Sequence, residues 1–408
     1  MPDAGSSQHW LLEPGVDFLN HGSFGSCPIP VLEAQTRLRE RIEREPIQFL
    51  VRELESHLAS AREALGAFIG TDPDDLAFVS NATSGVNTVL RSLRFQPGDE
   101  LLTTDQAYNA CRNALRFAAE RDGATAVVAE VPFPVRSPHE IVEAVLRRVT
   151  PRTRLALIDH VTSPTGVVWP VREMVEALSA KGVDALVDGA HAPGMLPLDV
   201  QQIGAAYYAG NCHKWICAPK GSAFLHVRRD RQAQIRPLTI SHGANSPRTE
   251  VSRFRVEFDW TGTQDVTPFL CIPEALRFMG SLLPGGWPEL MERNRAGALE
   301  GRRILCDALG VAPPCPDEMI GALATVPLPD GDAGPRRSPL YTDPLQDALL
   351  ERFHIEVPVV PWPEPPKRWV RISSQIYNRP EQYQRLAAAL RELGAAPLAE
   401  WQVTDERR

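Results

Sequence analysis

Residues 205–227 read AAYYAGNCHKWICAPKGSAFLHV, apolar or small almost throughout, with Lys214 standing between His213 and Trp215. The stretch has no helical period and too few charges for a surface helix with one wet face. Burial favours the neutral form of a lysine, so a buried one needs a partner or a chemical purpose. A neutral amine is a nucleophile, and a carbonyl cofactor can trap it as a Schiff base. Taken alone, Lys214 is equally well a lysine that snorkels from a strand end. The chain on either side has to decide.

Both ends of the stretch read as strands, AAYYAG (205–210) and SAFLHVR (222–228). Upstream lie five more short apolar runs: LAFVS (76–80), ELLTT (100–104), TAVVAEV (125–131), RLALIDH (154–160) and DALVDG (184–189). Helical segments separate several of them, at 84–94, 110–123, 138–149 and 171–182. Before them, 50–69 places Leu50, Leu54, Leu58, Leu65 and Phe68 on one helical face. Strand and helix in alternation predict an α/β fold with helices on both faces of the sheet. The strands lack polar alternation, as strands buried on both sides do.

The pattern changes after about residue 270. Two helical segments (273–283 and 286–309) lead to a strand at 321–329 and a Pro/Gly/Asp-rich loop from Pro329. A helix (343–353), the strands IEVPVV (355–360) and WVRISS (369–374) and a last helix (380–393) complete a smaller α+β unit, and the final dozen residues are polar. The expected division is an N-terminal segment 1–30, a large domain 31–270 and a small C-terminal domain 271–408. A chain of 408 residues is long for a single core.

Composition narrows the function. A formal net charge of −8 without long Lys or Arg runs argues against nucleic-acid binding. No apolar run is long enough to span a membrane, and MPDAGSSQHWLLEPG lacks the basic start and apolar core of a signal peptide, so a cytoplasmic protein is expected. The seven cysteines are scattered, odd in number and without a CxxC pair, which predicts reduced thiols and no metal site.

Three other stations share the expected carboxyl ends of strands, where open α/β sheets bind ligands. In LVDGAHAPG (186–194) Asp188 closes an apolar strand, with His191 three residues on. Asn81, Ala82 and Thr83 lie between a strand and a helix start, where backbone N–H groups and the helix dipole favour an anion. Tyr108 follows a third strand end.

This set resembles the fold-type-I pyridoxal-phosphate enzymes, specifically the isopenicillin N epimerase-like branch of the class V aminotransferase superfamily. The resemblance is carried by FLNHGSFGSCP (18–28), SNATSGVN (80–87), IDHVTSPTGVV (158–168), LVDGAHAPG (186–194), GNCHKW (210–215), DWTGTQD (259–265) and WVRISSQIYN (369–378). It covers nearly the whole chain and implies an aspartate-aminotransferase-like architecture with pyridoxal 5'-phosphate as cofactor. It further implies that Lys214 binds the cofactor and carries protons, that Asp188 pairs with the ring nitrogen, and that His191 lies near the phenolic oxygen. Tyr108 would stack on the ring, and Ser163 would contact the cofactor beside the lysine. Ala82, Thr83, Asn211 and His213 would hold the phosphate. Thr263 would come from the partner subunit of a homodimer. Arg371 would bind the α-carboxylate of an amino-acid substrate, and His21, in a turn that covers the substrate mouth or only starts the fold, is a further substrate contact. His160 is either structural or a supporting group. Arg248, Arg253 and Arg255 either meet an acidic substrate or form a solvated face.

The resemblance leaves three reactions at the α-carbon: epimerisation, β-elimination from a cysteine-type substrate by a C–S lyase, and transamination. A non-catalytic dimer of the same fold is a fourth reading, which the presence of both Lys214 and Asp188 disfavours. No cysteine follows Cys315, so the loop before Arg371 lacks the thiol that a persulfide-forming desulfurase of this superfamily uses.

Overall fold

Side-chain parity builds the central layer. In the strand Thr153–Asp159, Leu155 and Leu157 point to one face while Ala156 and Ile158 point to the other, and each pair is buried in a different apolar cluster. The next strand repeats this, with Leu186 on the first face and Ala185 and Val187 on the second. Burying each such leucine stabilises the layer by about 1.5–3 kcal/mol.

The computed structural model describes residues 6–331 and 343–394. A short strand β1 (Asp17–Phe18) precedes a seven-stranded sheet made of β2 (Leu76–Val79), β3 (Glu100–Thr104), β4 (Thr125–Ala129), β5 (Thr153–Asp159), β6 (Asp184–Asp188), β7 (Tyr207–Asn211) and β8 (Ala223–Val227). The order is β2-β8-β7-β6-β5-β3-β4. Every pairing is parallel except the two that β8 makes, with β7 and β2. All seven strands lie where the apolar runs predict them.

The amino-terminal helices are α1 (His21–Phe24), α2 (Ile29–Arg44) and α3 (Leu54–Ile69), the last preceded by a π-helical turn over Gln48–Glu53. Then follow α4 (Ala82–Ser92), α5 (Asn109–Asp122), α6 (Pro138–Leu146), α7 (Val171–Ser179), α8 (Val200–Ile203) and α9 (Arg253–Asp259). One face of the sheet is covered by α4, α5 and α9 through Val86, Val89, Leu115, Ala118, Phe254 and Phe258. The other face is covered by α3, α6 and α7 through Leu58, Leu65, Ile141, Met174 and Leu178. The chain then runs through α10 (Thr267–Leu270) and α11 (Ile272–Gly280) into the long α12 (Gly286–Leu309).

The carboxyl-terminal unit consists of β9 (Leu323–Leu328), α13 (Pro344–Phe353), β10 (Ile355–Glu356), β11 (Val359–Val360), β12 (Arg368–Ser373) and α14 (Pro380–Glu392). The antiparallel sheet β11-β12-β9 packs against α12 and α14. The single strand expected over 355–360 is two. Pro358 has no N–H for a ladder, and its carbonyl instead accepts from Arg371 N–H at 3.1 Å. The first half, β10, pairs in parallel with β1, which ties the amino-terminal segment to this unit. Most of the loop expected after Pro329, and the polar last dozen residues, lie outside the described residues.

Gly189 follows Asp188 directly, and its N–H donates to the Ala209 carbonyl at 2.8 Å. A Cβ there would sit 2.2 Å from the ring of Tyr208. Tyr208 is fully buried, and its hydroxyl bonds His160 Nδ1 at 2.8 Å. Gly189→Ala should therefore destabilise the protein by about 1–3 kcal/mol through overpacking, read as a lower melting temperature. An unchanged melting temperature would contradict this close approach.

Candidate active site

The carboxyl ends of β2, β5, β6 and β7 and the start of α4 surround a cavity of about 600 Å³. Its lining includes Ala82, Thr83, Tyr108, Ser163, Asp188, His191, Asn211, His213 and Lys214. Nine of the residues singled out in the sequence thus meet in one place, although they are spread over more than a hundred positions.

At one end, α4 points its amino terminus into the cavity. Asn81 caps it, its Oδ1 accepting from Ser84 N–H at 2.8 Å. Asn211 at the end of β7 accepts from Ala82 N–H at 2.8 Å, which fixes the helix start against the sheet. A helix amino terminus with small and hydroxyl residues suits a phosphate. His213 is half-buried, its Nδ1–H donates to the Ser222 carbonyl at 3.1 Å, and desolvation pulls it down to about 4.

At the other end stands Asp188, 3% exposed. Its Oδ2 accepts from the Cys111 thiol at 3.1 Å and its Oδ1 from Ala190 N–H at 3.1 Å. Burial pushes this carboxyl up, while the two donors and Lys214 oppose the shift. Asp159, at the end of β5, lines the same end of the cavity. Tyr108 is half-exposed at the start of α5, as a residue that stacks on a ligand ring would be.

Lys214 is partly buried in the cavity wall. Desolvation lowers it to about 7, with repulsion from Arg371 adding to the effect and Asp188 working against it. Its Nζ lies 3.2 Å from His191 Nε2. Burial, and then Lys214, push His191 well below its ordinary range, so the imidazole is neutral. Trp215 Nε1, which can only donate, approaches His191 Nδ1 at 3.5 Å. That places the imidazole proton on Nε2, facing the amine lone pair.

The turn that carries Lys214 is clasped from behind. Cys217 takes φ 62°, unusual for a side-chain residue. Gly25 has φ +69°, and a Cβ there would come within 2.0 Å of the His213 carbonyl. Lys220 Nζ donates to the Gly25 carbonyl at 3.0 Å. His21 belongs to this clasp and not to the substrate mouth. It is wholly buried, its Nε2–H donates to the Lys214 carbonyl at 3.0 Å, and its Nδ1 accepts from the Tyr377 hydroxyl at 2.8 Å. Ser23 and Phe24, its neighbours, line the cavity instead.

Arg371 on β12 is 5% exposed. It donates to the carbonyl and, at 3.2 Å, the hydroxyl of Ser163, and to Ser23 Oγ at 3.1 Å, while its Nε is buried without a partner. Burial pulls it down to about 10, which leaves it cationic at neutral pH. Thr263 lies in an exposed turn before α10, apart from the cavity lining. His160 points to the opposite face of β5 from Asp159 and bonds Tyr208 there. Arg248 pairs with Glu55 and Glu250, Arg253 with Glu257, and Arg255 with Asp74 and Asp259, so protein carboxylates answer all three.

Sequence reading passed over Asp159, Cys111 and Ser23. For Asp159 a signal existed: Leu155-Leu157-Asp159 keeps the same parity as Leu186-Asp188 on the neighbouring strand. Cys111 and Ser23 approach the site only through packing.

Comparison with known proteins agrees with this geometry. A family model described as aminotransferase class-V matches residues 38–282. The isopenicillin N epimerase of Streptomyces clavuligerus is 37% identical over 93% of this chain and 95% of its own. A probable chloroplastic L-cysteine desulfhydrase of Arabidopsis thaliana is 33% identical over 93% of this chain and 83% of its own. A solved structure of C-DES with glycine covalently linked to its PLP cofactor superposes with a TM-score of 0.79 at 23% identity, covering 96% of this chain and 99% of that one.

The buried amine has a consequence for stability. Between pH 7 and the ordinary lysine range, the unfolded chain binds a proton at Lys214 that the folded chain does not. This contribution to stability therefore rises with pH, and the penalty is greatest below pH 7. Cofactor-free Lys214→Met should be more stable than the parent at pH 6–7 by roughly 2–4 kcal/mol, with the gap closing towards pH 10. Thermal or urea unfolding across that range measures it.

Proposed function

The chain belongs to the aminotransferase class-V family of pyridoxal-phosphate enzymes, and we propose that it uses that cofactor to move a proton at the α-carbon of an amino acid, as an epimerase. The observation that carries this reading is Lys214: a partly buried, desolvated amine, lowered to about 7, facing a neutral histidine in a cavity large enough for cofactor and substrate together. An amine near neutrality can take a proton at working pH, and inversion is completed by a proton delivered to the opposite face of the α-carbon by a second acid or a shuttling water.

The residues present fit the cofactor. The amino terminus of α4, with Ala82 and Thr83, and Asn211 and His213 beside it, would hold the phosphate. Asp188 would face the ring nitrogen, His191 and Ser163 the phenolic edge, and Tyr108 the ring face. When bound, the cofactor supplies an electron sink for the bond broken at the α-carbon.

The protein's own part is placement and proton transfer. Arg371, held by Ser23 and Ser163, presents its fork to the substrate carboxylate. That contact fixes the α-carbon near Lys214 Nζ, which takes the α-proton. Thr263, exposed on its turn, would contact the cofactor of a partner subunit, which makes the working unit a homodimer.

A second reading, β-elimination of a thiol from a cysteine-type substrate, needs the same lysine and no protein thiol. The desulfhydrase relatives support it. All seven cysteines are free and buried, and none lines the cavity, in keeping with a reaction that forms no protein persulfide.

Proton NMR in heavy water with a panel of L-amino acids and cysteine conjugates tests both. Loss of the α-proton signal with growth of the D-isomer is the expected result, at least 100-fold slower in Lys214→Ala, in line with loss of a general base. Pyruvate with released thiol would replace the epimerase reading by the lyase one. Exchange at full rate without Lys214 would sink both.

A further inference from the structure

Two carboxylates stand at the end of the cavity that Asp188 marks. The register of β5 and β6 sets Asp159 directly beside Asp188, and parity puts both on the face covered by α4 and α5. Each is 3% exposed, and both line the cavity. Asp188 has a donor on each oxygen, Cys111 and Ala190 N–H. The backbone N–H of Tyr108 favours the charged form of Asp159, but Asp159 Oδ2 is buried with no hydrogen-bond partner among the described residues. A buried carboxylate oxygen left in that state is costly unless a proton or a ligand completes it.

We propose that Asp159 is a second cofactor-binding carboxylate, which with Asp188 receives the protonated ring nitrogen, and that the pair holds one shared proton until the ring arrives. The proposal rests on the pyridoxal-phosphate reading of the cavity.

Electrostatics agrees with the geometry. Desolvation and then repulsion from Asp188 push Asp159 well above the usual carboxylate range. Two carboxyls at adjacent positions away from water do not both ionise without a nearby cation, and they titrate as a unit. The other groups facing the pair are few. From α5, Cys111 is pushed up by burial and by both carboxylates and stays a thiol donor. Tyr108, before α5, is raised and stays a phenol. From the turns after β6 and β7 come neutral His191 and the amine of Lys214, and from β12 the cationic Arg371. None of these donates to Asp159 Oδ2. A cationic ring nitrogen is the missing partner.

The step balances. Asp159 loses its carboxyl proton as the ring settles: the O–H bond breaks, and the proton passes to the lone pair of an unprotonated ring nitrogen, or to solvent if the ring arrives protonated. In the first case the pair gains one negative charge and the ring one positive. In either case the pair gives up one proton on binding.

Pyridoxine 5'-phosphate, which has the ring and phosphate but no aldehyde, tests this on the cofactor-free full-length protein. Calorimetric titration in buffers of different ionisation enthalpy counts the protons exchanged, and the ligand's own groups cancel between proteins. Wild type should take up one proton fewer than Asp159→Asn at pH 7–8. Its affinity relative to the variant should rise about tenfold per pH unit across the range where the free pair holds its proton. Equal proton counts and parallel pH profiles in two folded proteins would overturn the proposal. If Asp159→Asn does not fold, wild type is measured against Asp159→Glu, which keeps a titrating carboxyl: a matching proton count supports the pair, and one proton more taken up by wild type than by Asp159→Glu overturns it. No binding of the probe to wild type would overturn the cofactor reading itself, and the proposal with it.

Discussion

Removal of the Lys214 ammonium from water governs the arrangement of this site. An amine in ordinary contact with solvent holds its proton near pH 10. Here desolvation and the nearby Arg371 bring it to about 7. Among the described residues no carboxylate bonds the amine directly: its neighbour is a neutral imidazole, and Asp188 accepts from Cys111 and Ala190 N–H. Such an arrangement is poor for stability and well suited to proton transfer, the usual trade at a functional site.

Holding the amine there takes more of the chain than the turn that carries it. The turn between β7 and β8 is gripped by His21 and Gly25, the latter accepting from Lys220 of the turn, and β1 is zipped to β10 in the carboxyl-terminal unit. Ser23 of the same segment bonds Arg371. One amino-terminal stretch therefore touches the lysine turn, Arg371 and the smaller sheet. His21 reads as a substrate contact because HGSFG reads as a glycine-bearing turn over the substrate mouth. Its enclosure under Lys214 depends on Tyr377, which lies more than 350 residues away along the chain.

Strand parity does for the acids what the turn does for the amine. Residues two apart on β5 and β6 share a face, so the apolar runs that make the sheet also aim Asp159 and Asp188 at the same cavity end. His160, one residue on, is aimed at the opposite face and serves Tyr208 there. The seven strands and the helices between them were legible because apolar runs and helical periods are local signals. The division of 355–360 into β10 and β11 was less so: Pro358 marks a break, but only the distant β1 supplies a partner for the first half.

By itself the sequence determined the alternating α/β sheet, the positions of its strand ends and the residue types gathered there, Lys214, Asp188, His191, Asn211 and the Ala82–Thr83 helix start among them. Each is encoded within a few neighbouring residues, by apolar runs, parity and capping. Only the tertiary structure decided which oxygen of which aspartate lacks a donor, that Cys111 rather than a solvent molecule bonds Asp188, that Arg371 rests on Ser23 and Ser163, and that the arginines of 248–255 answer protein carboxylates. Those are contacts between residues far apart in the chain, set by how elements pack and what packing excludes from water, and no local pattern specifies them.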